Sequence, residues 1–279
     1  ISEATKEAVG AYMRLDSDAT AELNNLSITS QAITDEMADY MITKYAEMGD
    51  TILQNMRTNH EEQLEEQRLL FEQSSILTEE EEAKRLAKLK ADQLAEEEAH
   101  NKNQARIKEI WTIAAEEKRG ITDAEAEEIA TIQENMRVKA VEELSTSQQE
   151  QETILANLKE NKSILEAETA ANTVKKSAET RDKVISDADK QYTETVSSAE
   201  SARDELGIIS SQEAEAIIKE AERKKNESVA NAQDTHSLVV SEAQKQAKDH
   251  IDEVNWETGG VLSGWDSMYN GVISAVNWI

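Results

Sequence analysis

Residues 214–254 read AEAIIKEAERKKNESVANAQDTHSLVVSEAQKQAKDHIDEV. Taken in steps of eleven, Ile218, Val229, Val240 and Ile251 form one column, and Ala221, Ala232, Ala243 and Val254 form a second. A third column, Ala214, Lys225, His236 and Ala247, is half apolar. Eleven residues over three turns is about 3.67 per turn, so the columns stay nearly aligned along a helix and supercoil gently to the right. The remaining faces carry Lys, Glu, Gln, Asp and Ser. A stripe this narrow is buried only against another helix or a copy of itself. The eight residues of the first two columns are therefore the candidate seam of a parallel coiled coil.

The same character extends outward. The chain has 279 residues, 32% of them charged and 4% aromatic, with no Pro, no Cys, one Phe and 8 Gly. Such a composition reads as all-α, in long extended helices rather than an aromatic-cored globule. One continuous helix of this length would span roughly 420 Å. The net charge of -28 argues against nucleic-acid binding and against attachment to anionic lipid. The lack of Cys excludes disulfides and thiolate metal sites. There is no run of 18 apolar residues and no visible signal peptide, and a first residue of Ile1 reads as a piece of a longer chain or a processed product.

Toward the N-terminus, Ala8, Tyr12, Leu15, Ala19 and Leu23 form a helical stripe, and a second helical region runs from Thr34 to about Phe71 across Gly49. Thr78 with Glu81, Thr122 with Glu125 and Ser210 with Glu213 match capping boxes. Thr34, Thr78 and Thr122 are 44 residues apart, and Ser210 lies 88 beyond Thr122. The phrases Ile33-Thr34-Asp35-Glu36, Leu77-Thr78-Glu79-Glu80, Ile121-Thr122-Asp123-Ala124 and Ile209-Ser210-Ser211-Gln212 resemble one another, which indicates a degenerate internal repeat. The site expected between them, near Glu166, lacks a hydroxyl, although Ser163 is close by. Each phrase suits either a turn between antiparallel helices or a soft point in a continuous one. From Ile185 the residues Ala188, Tyr192, Thr195, Ala199, Ala202 and Leu206 follow three-four steps, a short heptad seam running into the eleven-residue region.

The expected organisation is an N-terminal helical segment (1–73), a helical repeat and heptad region (74–206), an eleven-residue coiled coil (207–254) and a Trp/Gly-rich amphipathic segment (255–279). That last segment places Val261, Trp265, Met268, Val272, Val276 and Ile279 on one face, with Tyr269 beside it and Trp256 and Trp278 near its ends. Trp256, Trp265, Met268, Tyr269, Val272 and Trp278 are its candidate partner-facing or membrane-facing residues.

Catalytic chemistry finds little purchase. His60-Glu61-Glu62-Gln63-Leu64 lacks the second His of a zinc-protease motif, and Gly259-Gly260-Val261-Leu262-Ser263-Gly264 lacks the Lys-Ser/Thr of a phosphate loop. The acidic runs 79–82 and 96–98 lack the loop spacing of a calcium site. His236 reads as a polar register-setting residue in the seam, and His250 likewise. The expectation is a non-enzyme without metal or cofactor.

The long acidic helix, with phrases of the type Gly120-Ile121-Thr122-Asp123-Ala124-Glu125, followed by spaced Trp–Gly–Ile units around Trp256, Trp265 and Trp278, resembles the tape measure proteins of long-tailed, non-contractile bacteriophages of Gram-positive bacteria. The resemblance implies a rod in the lumen of the virion tail. It implies three copies that contact tail tube and tail-tip proteins, set tail length and leave ahead of the DNA, with the host membrane as a further contact after release. The muralytic and transmembrane domains often found in that family have no counterpart in this sequence. Two other classes fit some features: a cellular stalk resembling a rotary ATPase stator arm, and a helical pore-forming toxin.

Overall fold

The computed structural model describes residues 1–73 and 77–261. Their regular structure is α-helical apart from a six-residue 3-10 helix and one pair of two-residue strands. They form two compact units, residues 1–162 and 163–261. The boundary between them falls at 162/163.

The first unit contains α1 (Glu3–Thr29), α2 (Asp35–Gln73), α3 (Glu79–Glu116), α4 (Asp123–Leu144) and α5 (Gln148–Glu160). The starts follow from capping. The Thr34 hydroxyl accepts the Met37 N–H at 3.2 Å. Thr78/Glu81 and Thr122/Glu125 form reciprocal capping boxes, and the Ser147 hydroxyl accepts the Glu150 N–H. Each cap satisfies backbone donors that a helix start leaves unpaired. Neighbouring helices run antiparallel. Arg57 meets Glu97 and Gln93 reaches the His60 carbonyl across α2 and α3. Gln133 reaches Asp16 across α4 and α1, and Arg106 pairs with Glu128 across α3 and α4. The helices fold back because their stripes are wide enough to bury: Tyr12, Tyr45, Met48, Ile52, Ile110 and Trp111 are enclosed in one core. Each such side chain contributes about 1.5–3 kcal/mol on burial.

The second unit is an antiparallel pair, α6 (Lys162–Asp204) and α7 (Ser211–Ala247), turning at Gly207. A 3-10 turn (Lys248–Glu253) and the strands β1 (Val254–Asn255) and β2 (Gly260–Val261) complete it, with Val254 paired to Val261. α6 starts at Lys162, beside Ser163 and four residues before the repeat site expected near Glu166, and a further break falls at 145–147. One sequence expectation is corrected. The eleven-residue columns do not run to Val254 as helix, because Lys248 adopts φ 49 and ends α7. Within each unit the long helices are laid back against one another rather than extended in line.

Candidate functional site

The seam expected on α7 lies on the face turned toward α6. Lys225 Nζ is 2.6 Å from Asp189 Oδ1, His236 Nδ1 is 3.1 Å from Ser177 Oγ, and Lys248 Nζ is 2.8 Å from Glu166 Oε2. These pairs fix one antiparallel register. The third column faces α6 most squarely, with Ala214, His236 and Ala247 buried. Of the predicted seam residues, Ala243 and Val254 are buried, while Ile218, Ala221, Val229, Ala232 and Val240 are half-buried. Ile251 lies past the end of α7 and is 41% exposed. On α6 the facing residues are mostly small: Ala167, Ala170, Ala171, Val174 and Ala178 are buried, then Ala188 and Ala199. Ile185 and Tyr192 of the heptad stripe are only half-buried. Two helices cannot by themselves enclose a stripe, since each side chain keeps one flank toward water.

Beyond α7 the chain folds back onto α6. Gly259 sits at φ 68, and a Cβ there would stand 2.3 Å from the Lys175 nitrogen and 2.4 Å from the Ala171 carbonyl oxygen. Glycine is required both for the conformation and for the approach. Trp256 donates its indole N–H to the Ile251 carbonyl at 2.7 Å, so its polar edge is spent on its own turn. Trp265, Met268, Tyr269, Val272 and Trp278 lie outside the described residues. His236, buried against Ser177, has its imidazole pushed down by burial, with Arg181 adding to the shift.

A polar cluster that sequence reading missed lies in the core of the first unit. The Asp16 carboxylate, 2% exposed, accepts from Arg137 Nε at 2.7 Å and from Gln133 Nε2 at 2.7 Å. The Tyr45 hydroxyl donates to Gln133 Oε1 at 3.1 Å. Burial pushes the Asp16 carboxyl up, opposed by the Arg137 charge and the Gln133 hydrogen bond. This network ties α1, α2 and α4 in a single register. The signal for it is Asp16 itself, four residues after Tyr12 and three before Ala19 on an otherwise apolar stripe. Elsewhere in this unit His100 Nε2 lies 2.9 Å from the Gly49 carbonyl, and burial lowers its pKa.

Among the described residues no group of three His, Cys, Asp or Glu side chains is arranged to hold a metal ion, and no helix is long and apolar enough to cross a membrane. The chemistry these surfaces support is association between helices: apolar stripes, ion pairs and capped ends. Comparison with known proteins finds no matching family model, no matching curated protein and no matching solved structure.

Proposed function

We propose that this chain is a helical segment of a phage tail tape measure protein, a structural rod that occupies the tail lumen, sets tail length and departs before the DNA. The observation that carries the reading is the second unit's seam. It is long, lined by Ala, Ser and Thr, and only half-buried along much of α7. Small side chains give little burial energy per residue, so such a pair separates more readily than one packed with Leu. The capped helix starts at Thr34, Thr78, Thr122 and Ser210 are the points at which folded-back helices could straighten into a rod of roughly 420 Å. A net charge of -28 keeps such a rod from adhering to DNA that later uses the same channel.

In the extended state the α7 stripe associates in parallel, in the three copies that the family resemblance implies, enclosed by tail tube protein. Residues 255–279 contact either the tail-tip proteins or, after release, the host membrane. In the phage that encodes this chain, in-frame deletion of residues 78–121 should shorten the tail by up to about 66 Å, since each residue of continuous helix adds about 1.5 Å. Unchanged tail lengths by electron microscopy would overturn the ruler role of this segment. Trp265→Asp with Val272→Asp should leave the helical region assembled and block infection. Tails that never complete indicate a tip contact, complete particles that adsorb without delivering DNA indicate the membrane, and full infectivity refutes both.

A further inference from the structure

The first unit contains two hairpins, α1–α2 and α3–α4, whose second helices start 88 residues apart, at Asp35 and Asp123. Tyr45 and Gln133, which are also 88 apart, touch each other between the two hairpins. Ser30 and Lys118, again 88 apart, both adopt positive φ at their turns. The two turns interlock: the Ile33 N–H donates to the Arg119 carbonyl at 2.9 Å. Gly120 lies so close that a Cβ would be 3.0 Å from the Ser30 carbonyl oxygen. Ile33 and Ile121 are 1% and 5% exposed.

The 88-residue series of the phrase, Ile33-Thr34 and Ile121-Thr122, continues at Ile209-Ser210, at the turn of the α6–α7 hairpin. Gly207, one residue past the position matching Lys118, has φ 61. The Ser210/Glu213 capping box repeats that of Thr122/Glu125. What differs is cover. Met41 and Ile129, at equivalent places in α2 and α4, are both 0% exposed, whereas Ile217 at the matching place in α7 is 41% exposed. Leu206 and Ile208 at the third turn are 64% and 71% exposed.

We propose that the α6–α7 hairpin is half of a four-helix bundle, and that a second copy of this chain supplies the other half. The partner hairpin lies alongside with its turn at the same end, so that the two α7 helices run parallel as α2 and α4 do. The first two hairpins cannot serve as the mate, because their turn faces are filled by each other. This pairing does not depend on the tape measure reading. It belongs to the folded chain, whereas the three-copy rod belongs to an extended one. Lys224 stands where the buried Met48 and Met136 stand in the first two hairpins, and each chain carries -28. The pairing is therefore weaker than that inside the first unit and strengthens with salt, which screens the repulsion.

Sedimentation equilibrium and native mass measurement on the full chain test this. The expected result is a concentration-dependent dimer that tightens as salt rises, weakened about tenfold or more by Ile217→Lys. Helix content by circular dichroism should remain unchanged. The cysteine-free background permits a geometric check. Ala221 occupies the place of Tyr45 and Gln133, so Ala221→Cys should form a disulfide-linked dimer under mild oxidation. Glu227→Cys, on the outer face where Glu227 pairs with Arg223, should cross-link far more slowly. A monomer at millimolar concentration in high salt overturns the proposal, as does equal cross-linking of the two variants. A trimer also overturns it, while leaving the tape measure reading in place.

Discussion

Asp16 shows how a single buried side chain anchors a network that sets the register of three helices, α1, α2 and α4. Its carboxylate is held by Arg137 and Gln133 more than a hundred residues away, in a core where an unpaired charge is costly. Arg137→Met should destabilise the first unit by about 3–5 kcal/mol, because it leaves Asp16 buried without its cation. Combining it with Asp16→Leu should recover much of that loss, and thermal unfolding of the two variants checks the order. Asp16 was legible as an interruption of the Tyr12–Ala19 stripe. Its partner was not, because stripe periodicity says which face is inward and nothing about what lies opposite. Acid acts at other carboxylates. The Arg119 guanidinium, followed by the Thr122 cap, holds Glu125 down at about 2. The Thr146 hydroxyl, with the Ser2 and Thr146 backbone N–H groups, holds Glu150 down at about 2. Both pKa values are depressed on folding, so their stabilisation is present above the ordinary carboxylate value of 4.5 and is lost as pH falls from there toward 2. A urea midpoint that falls across that window, and falls less in Glu125→Gln, is the expected result.

The capped helix starts were the best-read elements. Thr78, Thr122 and Ser210 all form the reciprocal capping box that their spacing to Glu implies. The break at Ser147 was missed because it falls off the 44-residue spacing. The end of α7 was misread because the eleven-residue columns continue in sequence through Ile251 and Val254, while the backbone turns at Lys248 to bring Gly259 onto α6. Gly259→Ala should release this fold-back, raising amide exchange across 248–261 and leaving the first unit's protection unchanged. Protection unaltered by that substitution would refute the close approach. The His236 imidazole adds a second handle on the same hairpin. Its pKa is lowered on folding, so the stabilisation from burying it neutral is present above the ordinary value of 6.5 and is lost as pH falls through the folded value. Exchange across α7 should therefore accelerate in mild acid, and less so in His236→Gln.

For the whole molecule, composition alone pointed to an all-helical chain, since a Pro-free, Gly-poor sequence with few aromatics offers little else. What composition and period could not separate was a straight rod from helices folded back at their caps. The same apolar stripe serves an intramolecular partner and an intermolecular one, and the Gly207 turn is as readable as a soft point in a rod. The most direct test uses the absence of native cysteine. Spin labels at Lys190→Cys and Lys224→Cys sit at positions of α6 and α7 that are exposed within the single chain, on either side of Gly207. In the antiparallel pair the two backbones are one interhelix spacing apart, and the labels should report a distance below about 25 Å. A single continuous helix would separate them by about 51 Å, and a distance near that value for the isolated chain in solution would contradict the folded-back architecture.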